Sequence, residues 1–397
     1  MRIVHVEDFF HPDAGYQVNL LSKIQVDQGH EVVVVTSEFE KLPEYLTVFF
    51  GRDRLEEKDK IFEEKTGVKI MRIPLIAYVS GRSIYDHKIF KIIDNLKPSV
   101  LFVHGEDTMI GIQYIIRSLW QKYPMILDCH MLEMASENRF KGLFRFFLKR
   151  FITPIIIKKK IPLVRVVDSD YVEKCLGLPL SKTILLSFGT DVSWYSPNAI
   201  AKKQFREEHG IDENDYVVLY AGKIDEYKGG KFLADSIHEK FESIKGRNMT
   251  FVIIGSGVGE YGANVDAKLK ESENRILRFP TQAYLDLAIF YQAADVAIFA
   301  KQCSLSFFDV QSCGLPVIFE ENEINNQRIV GKNAITFEPG NLVDFRRKIV
   351  QFGQQSKKEF EVSKKDSRDF VLKEYNYLPI AHQFTDVLRE AVDNFRQ

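Results

Sequence analysis

The chain opens on 1-MRIVHVEDFFHPDAGYQVNLLSKIQVDQGHEVVVVTSE-38, and this stretch decides the fold. Ile3-Val4-His5-Val6 is a short apolar run, and a second follows at 31–35. Between them Tyr16–Gln28 carries Val18, Leu21 and Ile24 at helical steps, and Gly29 supplies a helix stop. Strand, loop, helix and strand in that order make a βαβ unit. Such a unit implies a parallel sheet with a right-handed crossover.

The same alternation continues outward. Further strands are expected at 68–73, 100–104, 124–128, 163–167 and 183–187, and a second series at 217–221, 250–254, 275–279, 295–299 and 317–319. They are rich in Val, Ile and Leu with little alternation, as strands covered on both faces are. The length of 397 residues suits two cores rather than one. The expected fold class is therefore α/β, with two Rossmann-like domains at 1–192 and 193–375. The linker falls near Gly189–Lys202, where Gly, Asp, Ser, Pro and Asn cluster. The charged segment 50-FGRDRLEEKDKIFEEKT-66 reads as a solvated surface excursion.

Composition excludes some classes. Hydrophobic residues make up 45%, enough for a core in each half. The net charge of −1 gives no reason to expect nucleic acid; it divides into about +3 over residues 1–190 and about −4 over the rest. Cys129, Cys175, Cys303 and Cys313 form no C-x-x-C pair, so they read as reduced thiols and not as a zinc or redox site. There is no run of ~18 apolar residues, and Met1-Arg2 leads directly into a strand instead of an export signal. The expectation is a cytoplasmic protein.

Several segments carry chemistry. In 217-VVLYAGKIDEYKGG-230 a strand is followed by Lys223, Lys228 and a glycine-led helix start. Ligands of open α/β sheets bind at the carboxyl ends of the strands, where two ammonium groups suit a diphosphate; two solvated loop lysines is the plainer reading. Gly15 precedes the first helix, where a small residue lets backbone N–H groups approach an anion, or simply makes a tight turn. Gly255 and Gly257, in 251-FVIIGSGVG-259, form an incomplete dinucleotide fingerprint that suits a phosphate or sugar loop as well. Asp168-Ser169-Asp170 has the form of a metal-binding D-x-D, yet follows a strand where these residues serve as helix caps. His104 and His130 each end a parallel strand, facing the ligand edge.

Taken in order, these segments resemble the GT4 family of retaining glycosyltransferases. MRIVHVEDFFHPDAGYQVNLLSKIQVDQGHEVVVVTSE resembles its opening, SFGTDVSWYSP its approach to the linker, VLYAGKIDEYKGG its "yvGRlxxxKG", and CGLPVI the "cGlPVi" after its paired-carboxylate motif. AHQFTDVLREAV resembles the last helix, which in that family crosses back onto the first domain; residues 376–397 would do so here. The resemblance implies the GT-B fold, with the active site between two Rossmann-like halves. It implies that Lys223 and Lys228 neutralise the donor pyrophosphate, with Gly15 and Tyr16 beside it. His130 would lie beside the donor sugar, and the Arg278-Phe279-Pro280 turn would recognise the base through its backbone. Two departures stand out. The usual Gly-Gly pair is Ala14-Gly15, and the E-x7-E motif reads Lys301-x7-Asp309. Asp309 keeps an acceptor for ribose hydroxyls. Lys301 implies an acidic donor sugar, an added contact to the diphosphate, or weakened activity, with Ser304 and Ser306 as polar substitutes nearby.

The expected mechanism follows from charge. Glycosyl transfer leaves negative charge on the departing diphosphate, and fixed lysines stabilise that charge more than the ground state. No metal and no further cofactor is then expected. No carboxylate pair reads as nucleophile and acid, which speaks against a hydrolase. Residues 138–167 contain no Asp or Glu; Lys141, Arg145 and Lys149 step by four, Arg150 adjoins them, and Phe144, Phe147, Leu148 and Phe151 occupy a neighbouring face. This reads either as a core helix or as an interfacial helix on anionic lipid. The latter would suit a lipid-linked or glycan acceptor in bacterial polysaccharide or glycolipid synthesis, with the protein peripheral on the inner membrane face. The rival readings are a GT-B nucleotide-sugar epimerase, which the chain's lack of an obvious carboxylate set disfavours, a non-catalytic partner, and a dehydrogenase.

Overall fold

The structure is a computed structural model that describes residues 1–47, 49–79, 81–130, 141–301 and 305–396. The chain divides into two compact units. The first comprises 1–47, 51–188 and 378–397, and the second 48–50 and 189–377.

In the first unit the strands are β1 (Arg2–Glu7), β2 (Glu31–Ser37), β3 (Lys69–Ile73), β4 (Leu75–Val79), β5 (Arg82–Tyr85), β6 (Val100–His104), β7 (Met125–Cys129), β8 (Leu163–Arg165) and β9 (Ile184–Leu185). Seven of them form one sheet in the order β3-β2-β1-β6-β7-β8-β9, and its pairings are parallel. The opening strand–helix–strand lies at the middle of this sheet, with the helix Gln17–Asp27 as its crossover. β6 and β7 are buried along their whole length, which explains their unbroken apolar sequence. The helix Tyr377–Arg396 contributes Leu378 onward to this unit. There Phe384 stacks near Phe102, and Thr385 Oγ1 donates to Gln28 Oε1 at 2.7 Å.

Three features differ from the sequence reading. β4 and β5 form an antiparallel hairpin that was not expected. Residues Leu55–Thr66 lie on the surface with none of them buried, as expected, but form a regular helix that the sequence reading did not assign: Phe62 packs edge-on against Phe10, and Arg72 pairs with Asp59 at 2.6 Å. Asp168 and Asp170 do not cap a helix; they pair with Arg165 at 3.2 Å and Lys174 at 2.6 Å.

In the second unit β10 (Tyr216–Ala221), β11 (Met249–Ile254), β12 (Arg275–Phe279), β13 (Val296–Phe299), β14 (Val317–Glu320) and β15 (Ala334–Phe337) form a parallel sheet in the order β12-β11-β10-β13-β14-β15. β15 is additional to the expected series. A buried ion triad anchors the start of β13: Asp295 lies 2.8 Å from Arg206 and 2.7 Å from Lys202, and accepts from Val217 N at 2.9 Å.

Candidate functional sites at the two switch points

Each sheet changes winding direction once. In the second unit this occurs at β10, which has β11 on one side and β13 on the other. The loops leaving neighbouring strands part there and open a crevice at their carboxyl ends. The loop after β10 holds Lys223 and Lys228, and the segment after β13 begins at Ala300-Lys301. A Cβ built on Gly229 would lie 3.1 Å from Lys301 Cβ and 3.3 Å from the Ala300 carbonyl, and Gly229 has φ of +73°. Only glycine fits there, and its bareness lets the Lys301 stem stand against the Lys228-Gly229-Gly230 turn. Three lysines thus share one edge of one sheet. The Lys223 ammonium lies 4.2 Å over the ring of Phe49, and burial draws its pKa below the usual lysine value. Lys301 is exposed and acts electrostatically on Glu320 at the end of β14.

The neighbouring loop, after β11, is locked onto this one. Gly255 has φ of +138°, and a Cβ there would meet the Gly222 carbonyl oxygen at 1.8 Å. Ile224 also pairs with Gly257. Gly255 and Gly257 therefore appear in the structure as backbone-packing residues holding the lysine loop, which is a different part from a phosphate loop of their own.

Other residues are committed elsewhere. Arg278 pairs with Asp266 at 2.9 Å and also donates to the Phe279 carbonyl. That carbonyl accepts from Gly255 N at 3.1 Å as well, and the Phe279 ring packs with Phe205 and Phe290. Ser306 Oγ lies 3.5 Å from the Ala221 carbonyl. Asp309 is 2% exposed, and its Oδ1 accepts from the Thr190 hydroxyl and from Tyr284 OH at 3.1 Å. Burial raises its pKa to about 7. Through Oδ1 it pins the chain at Thr190, whose backbone pairs with Asn376. Ser304 lies outside the described residues.

In the first unit the switch point lies between β1 and β6. After β1 the chain passes Glu7 and Asp8 to Gly15 and Tyr16, which caps the helix Gln17–Asp27 without a side-chain hydrogen bond. Gln17 is buried with neither amide atom bonded among the described residues. The open first turn and this amide leave polar groups for a ligand.

His130 and His104 part company here. His104, at the end of β6, is buried; its Nδ1 is 2.6 Å from Asp128 Oδ2, and its Nε2 is 2.9 Å from His5 Nδ1. Both of its ring nitrogens are engaged by protein partners. The His130 side chain is 34% accessible, with Nε2 2.8 Å from Asp128 Oδ2. Burial works against its charge, but the Asp128 carboxylate outweighs it and raises the pKa to about 9. Burial likewise opposes ionisation of Asp128, yet His130 and His104 hold it well below the usual carboxylate range.

Sequence reasoning missed this carboxylate and its neighbours. Glu7, Asp8, Glu106 and Asp107 gather at the same edge, all pushed up chiefly by burial, Asp8 to about 7 and Glu106 to about 8. One signal was available: Asp128 and His130 are two apart at a strand end and share a face.

His104, Asp128 and His130 have ligand atoms within 4.8 Å of one another. Tetrahedral ligands at ~2.1 Å from zinc sit roughly 3.4 Å apart. The contacts of 2.6 and 2.8 Å are shorter than that spacing and are those of a hydrogen bond and an ion pair.

The basic segment forms one helical run: Lys141–Phe147, a wide π turn at Leu148–Ile152, then Thr153–Lys159. Pro154 lacks an N–H and crowds the preceding turn, which accounts for the widening. Leu148, Ile152 and Ile156 enter the core, with Phe144 packed against it. Of the expected face, Leu148 and Phe144 turn to the core, while Phe147 and Phe151 (54% exposed) stand outward, joined by Leu143 (71%) and Phe146 (61%). Lys141, Lys149 and Arg150 are exposed beside them, whereas Arg145 is partly buried. Among the described residues no helix is long and apolar enough to cross a membrane.

Residues 215–355 match the model of the family described as Glycosyl transferases group 1. Among curated proteins, the D-inositol 3-phosphate glycosyltransferase of Corynebacterium glutamicum is 30% identical over 143 residues, 34% of each chain. That of Pseudarthrobacter chlorophenolicus is 26% identical over 135 residues, 33% of this chain and 32% of the other. The match thus spans about a third of the length of these relatives. Similar solved structures cover nearly the whole chain. A glycosyltransferase from Rickettsia africae superposes with a TM-score of 0.73 at 14% identity, over 99% of both chains. Anabaena HepE, in complex with UDP and glucose, gives 0.72 at 13%, over 98% of this chain and 100% of its own. At such identities the likeness concerns the fold, which is that of the two-domain GT-B glycosyltransferases.

Proposed function

We propose that the chain is a group 1 glycosyltransferase that binds a nucleotide-diphosphate sugar at the second unit's switch point and transfers the sugar, with retention and without a metal, to a glycan or lipid-linked acceptor. The observation that carries this reading is the placement of Lys223, Lys228 and Lys301 at one sheet edge, all three inside the segment matched to the family. Three lysines on one sheet edge supply positive charge that favours a ligand with several negative charges. They also stabilise the charge that develops on a departing diphosphate. Binding of UDP, GDP and ADP to the full chain, followed by calorimetry, tests it. One of them is expected to bind in the micromolar range, and failure of all three removes the reading.

Metal independence is supported by the same lysines, which supply the positive charge a cation would bring. Transfer is expected to continue at an undiminished rate in excess EDTA. Loss of activity in chelator with recovery on adding Mn²⁺ or Mg²⁺ would contradict this.

Membrane contact is supported by Leu143, Phe146, Phe147 and Phe151 standing outward beside Lys141, Lys149 and Arg150. Apolar side chains with flanking cations bind the interface of anionic bilayers. The parent protein should sediment with phosphatidylglycerol vesicles at low salt. The triple variant Leu143→Ser, Phe146→Ser, Phe151→Ser should lose at least tenfold in affinity at unchanged Tm, since each side chain is worth roughly 1.5 kcal/mol or more on burial. Absence of parent binding, or equal binding by the variant, would end the membrane proposal. A lipid-linked acceptor in bacterial polysaccharide or glycolipid synthesis would then lose its support.

A further inference from the structure

Behind His130 runs a row of buried side chains from three adjacent strands and the helix Gln17–Asp27. Gln25 lies 2.7 Å from His5 Nε2, His5 Nδ1 lies 2.9 Å from His104 Nε2, and His104 Nδ1 lies 2.6 Å from Asp128 Oδ2. The Gly105 N–H donates to the other Asp128 oxygen at 2.9 Å. Burial, with His104 beside it, lowers the His5 pKa to about 3, so His5 is neutral and has one N–H to give. His104 Nδ1 donates to Asp128, and the tautomers of His5 and His104 set the direction of the bond between them. The row is continuous from the Gln25 amide to the Asp128 carboxylate.

Asp128 Oδ2 is therefore held from behind, and its other side faces His130 Nε2, a buried nitrogen 2.8 Å away in an ion-pair contact that lies outside hydrogen-bond angles. We propose that Asp128 is a positioning residue for His130: the row fixes its carboxylate, and the carboxylate orients the His130 ring and keeps it an imidazolium, so that His130 meets its substrate as a cationic hydrogen-bond donor and not as a proton-accepting base. The identity of that substrate rests on the glycosyltransferase reading; the charge and orientation of His130 do not.

The groups that act on His130 are Glu7 at the end of β1, His104 on β6, Glu106 and Asp107 just beyond it, and Asp128 on β7, with the Phe188 ring 5.3 Å away. Burial disfavours the cation, and Asp128, Glu7 and Glu106 favour it. With a value near 9, the ring is charged below that pH and neutral above it. A general base of ordinary histidine would show an activity limb rising near pH ~6.5. The proposed donor shows instead a plateau through neutrality and a fall toward pH 9.

Histidine-selective ¹⁵N NMR of the full chain, titrated with and without Asp128→Asn, tests this alongside kcat and KM against pH. In the parent, one exposed histidine should keep both ring nitrogens protonated at pH 8, and His130→Gln should remove that signal. Asp128→Asn should lower its midpoint by about two units or more, as loss of an adjacent opposite charge does. It should also lower kcat/KM at least tenfold at pH 8, and much less at pH 5.5, where the ring regains its proton. Added to His130→Gln, the Asp128→Asn change should cost no further activity. A His130 midpoint below 7 in the parent overturns the proposal, and that measurement needs no variant to fold. So does an unmoved midpoint or a pH-independent loss in Asp128→Asn, the mark of a merely structural role. A chain that turns over no sugar nucleotide fails the functional reading instead, and the titration still decides the charge of His130.

Discussion

Lys228→Ala is expected to lower kcat/KM by more than tenfold for whichever nucleotide sugar the protein uses. One ammonium at ~4 Å from a phosphate oxygen is worth about 4 kcal/mol at an effective dielectric near 20. Lys228 is partly exposed, so solvent screening takes a share of that; a remaining ~1.4 kcal/mol is already tenfold. The loss should fall mainly on kcat, because the diphosphate carries more charge as it departs than while still bonded to sugar. Lys301→Ala separates two roles. If its ammonium meets the diphosphate, as its position against Gly229 supports, free nucleoside diphosphate and every donor weaken alike. If it reads an acidic sugar, a glucuronate donor weakens while its neutral counterpart does not. Steady-state kinetics with unchanged values for Lys228→Ala would remove that lysine from the site.

Asp295→Ala is expected to cost 3 kcal/mol or more of stability. Its carboxylate is the shared partner of Arg206, which is 4% exposed, and of Lys202. Removing one member of a buried ionic cluster leaves uncompensated charge, at a cost of about 3–5 kcal/mol. Arg206 keeps carbonyl partners at Ala293, Glu213 and Asp215, which favours the lower end. The pH dependence has a definite sign. Burial opposes its ionisation, but Lys202 and Arg206 hold the Asp295 pKa below the usual value. Its contribution is therefore present above the ordinary carboxylate range and is lost as pH falls through the depressed value. Urea unfolding of parent and variant at pH 7.5 and pH 3 should show the gap narrowing in acid. A constant gap would mean that the ion triad is not its source.

Much of the fold was legible because parallel strands covered on both faces leave unbroken apolar runs. The features missed were those with little apolar content or few residues. The hairpin β4–β5 includes a strand of four residues, RSIY, and β15 is AITF. In Leu55–Thr66 three apolar residues among charges were too few to show a helical stripe, though Phe62 finds Phe10 across the sequence. At the sites, residue type and strand position identified where side chains would gather but not their partners. His104 and His130 end neighbouring strands in the same way; what separates them is His5, on a third strand, which closes over one and not the other. Asp309 carries a family-like position, yet the partner of its Oδ1, Thr190, lies 119 residues away and could not be read from the sequence. Lys301 gained meaning only when the bare Gly229 brought it beside Lys228.

The central claim is that the lysine-lined switch point of the second unit binds a nucleotide sugar for transfer. Its most direct test is to incubate the full chain with UDP-, GDP-, ADP- and dTDP-sugars, with and without a lipid extract as acceptor, and to measure nucleoside diphosphate released. The account predicts release from one nucleotide class, increased by acceptor, persisting in EDTA and reduced more than tenfold by Lys228→Ala. Release from none of them, or release that Lys228→Ala leaves unchanged, would contradict it.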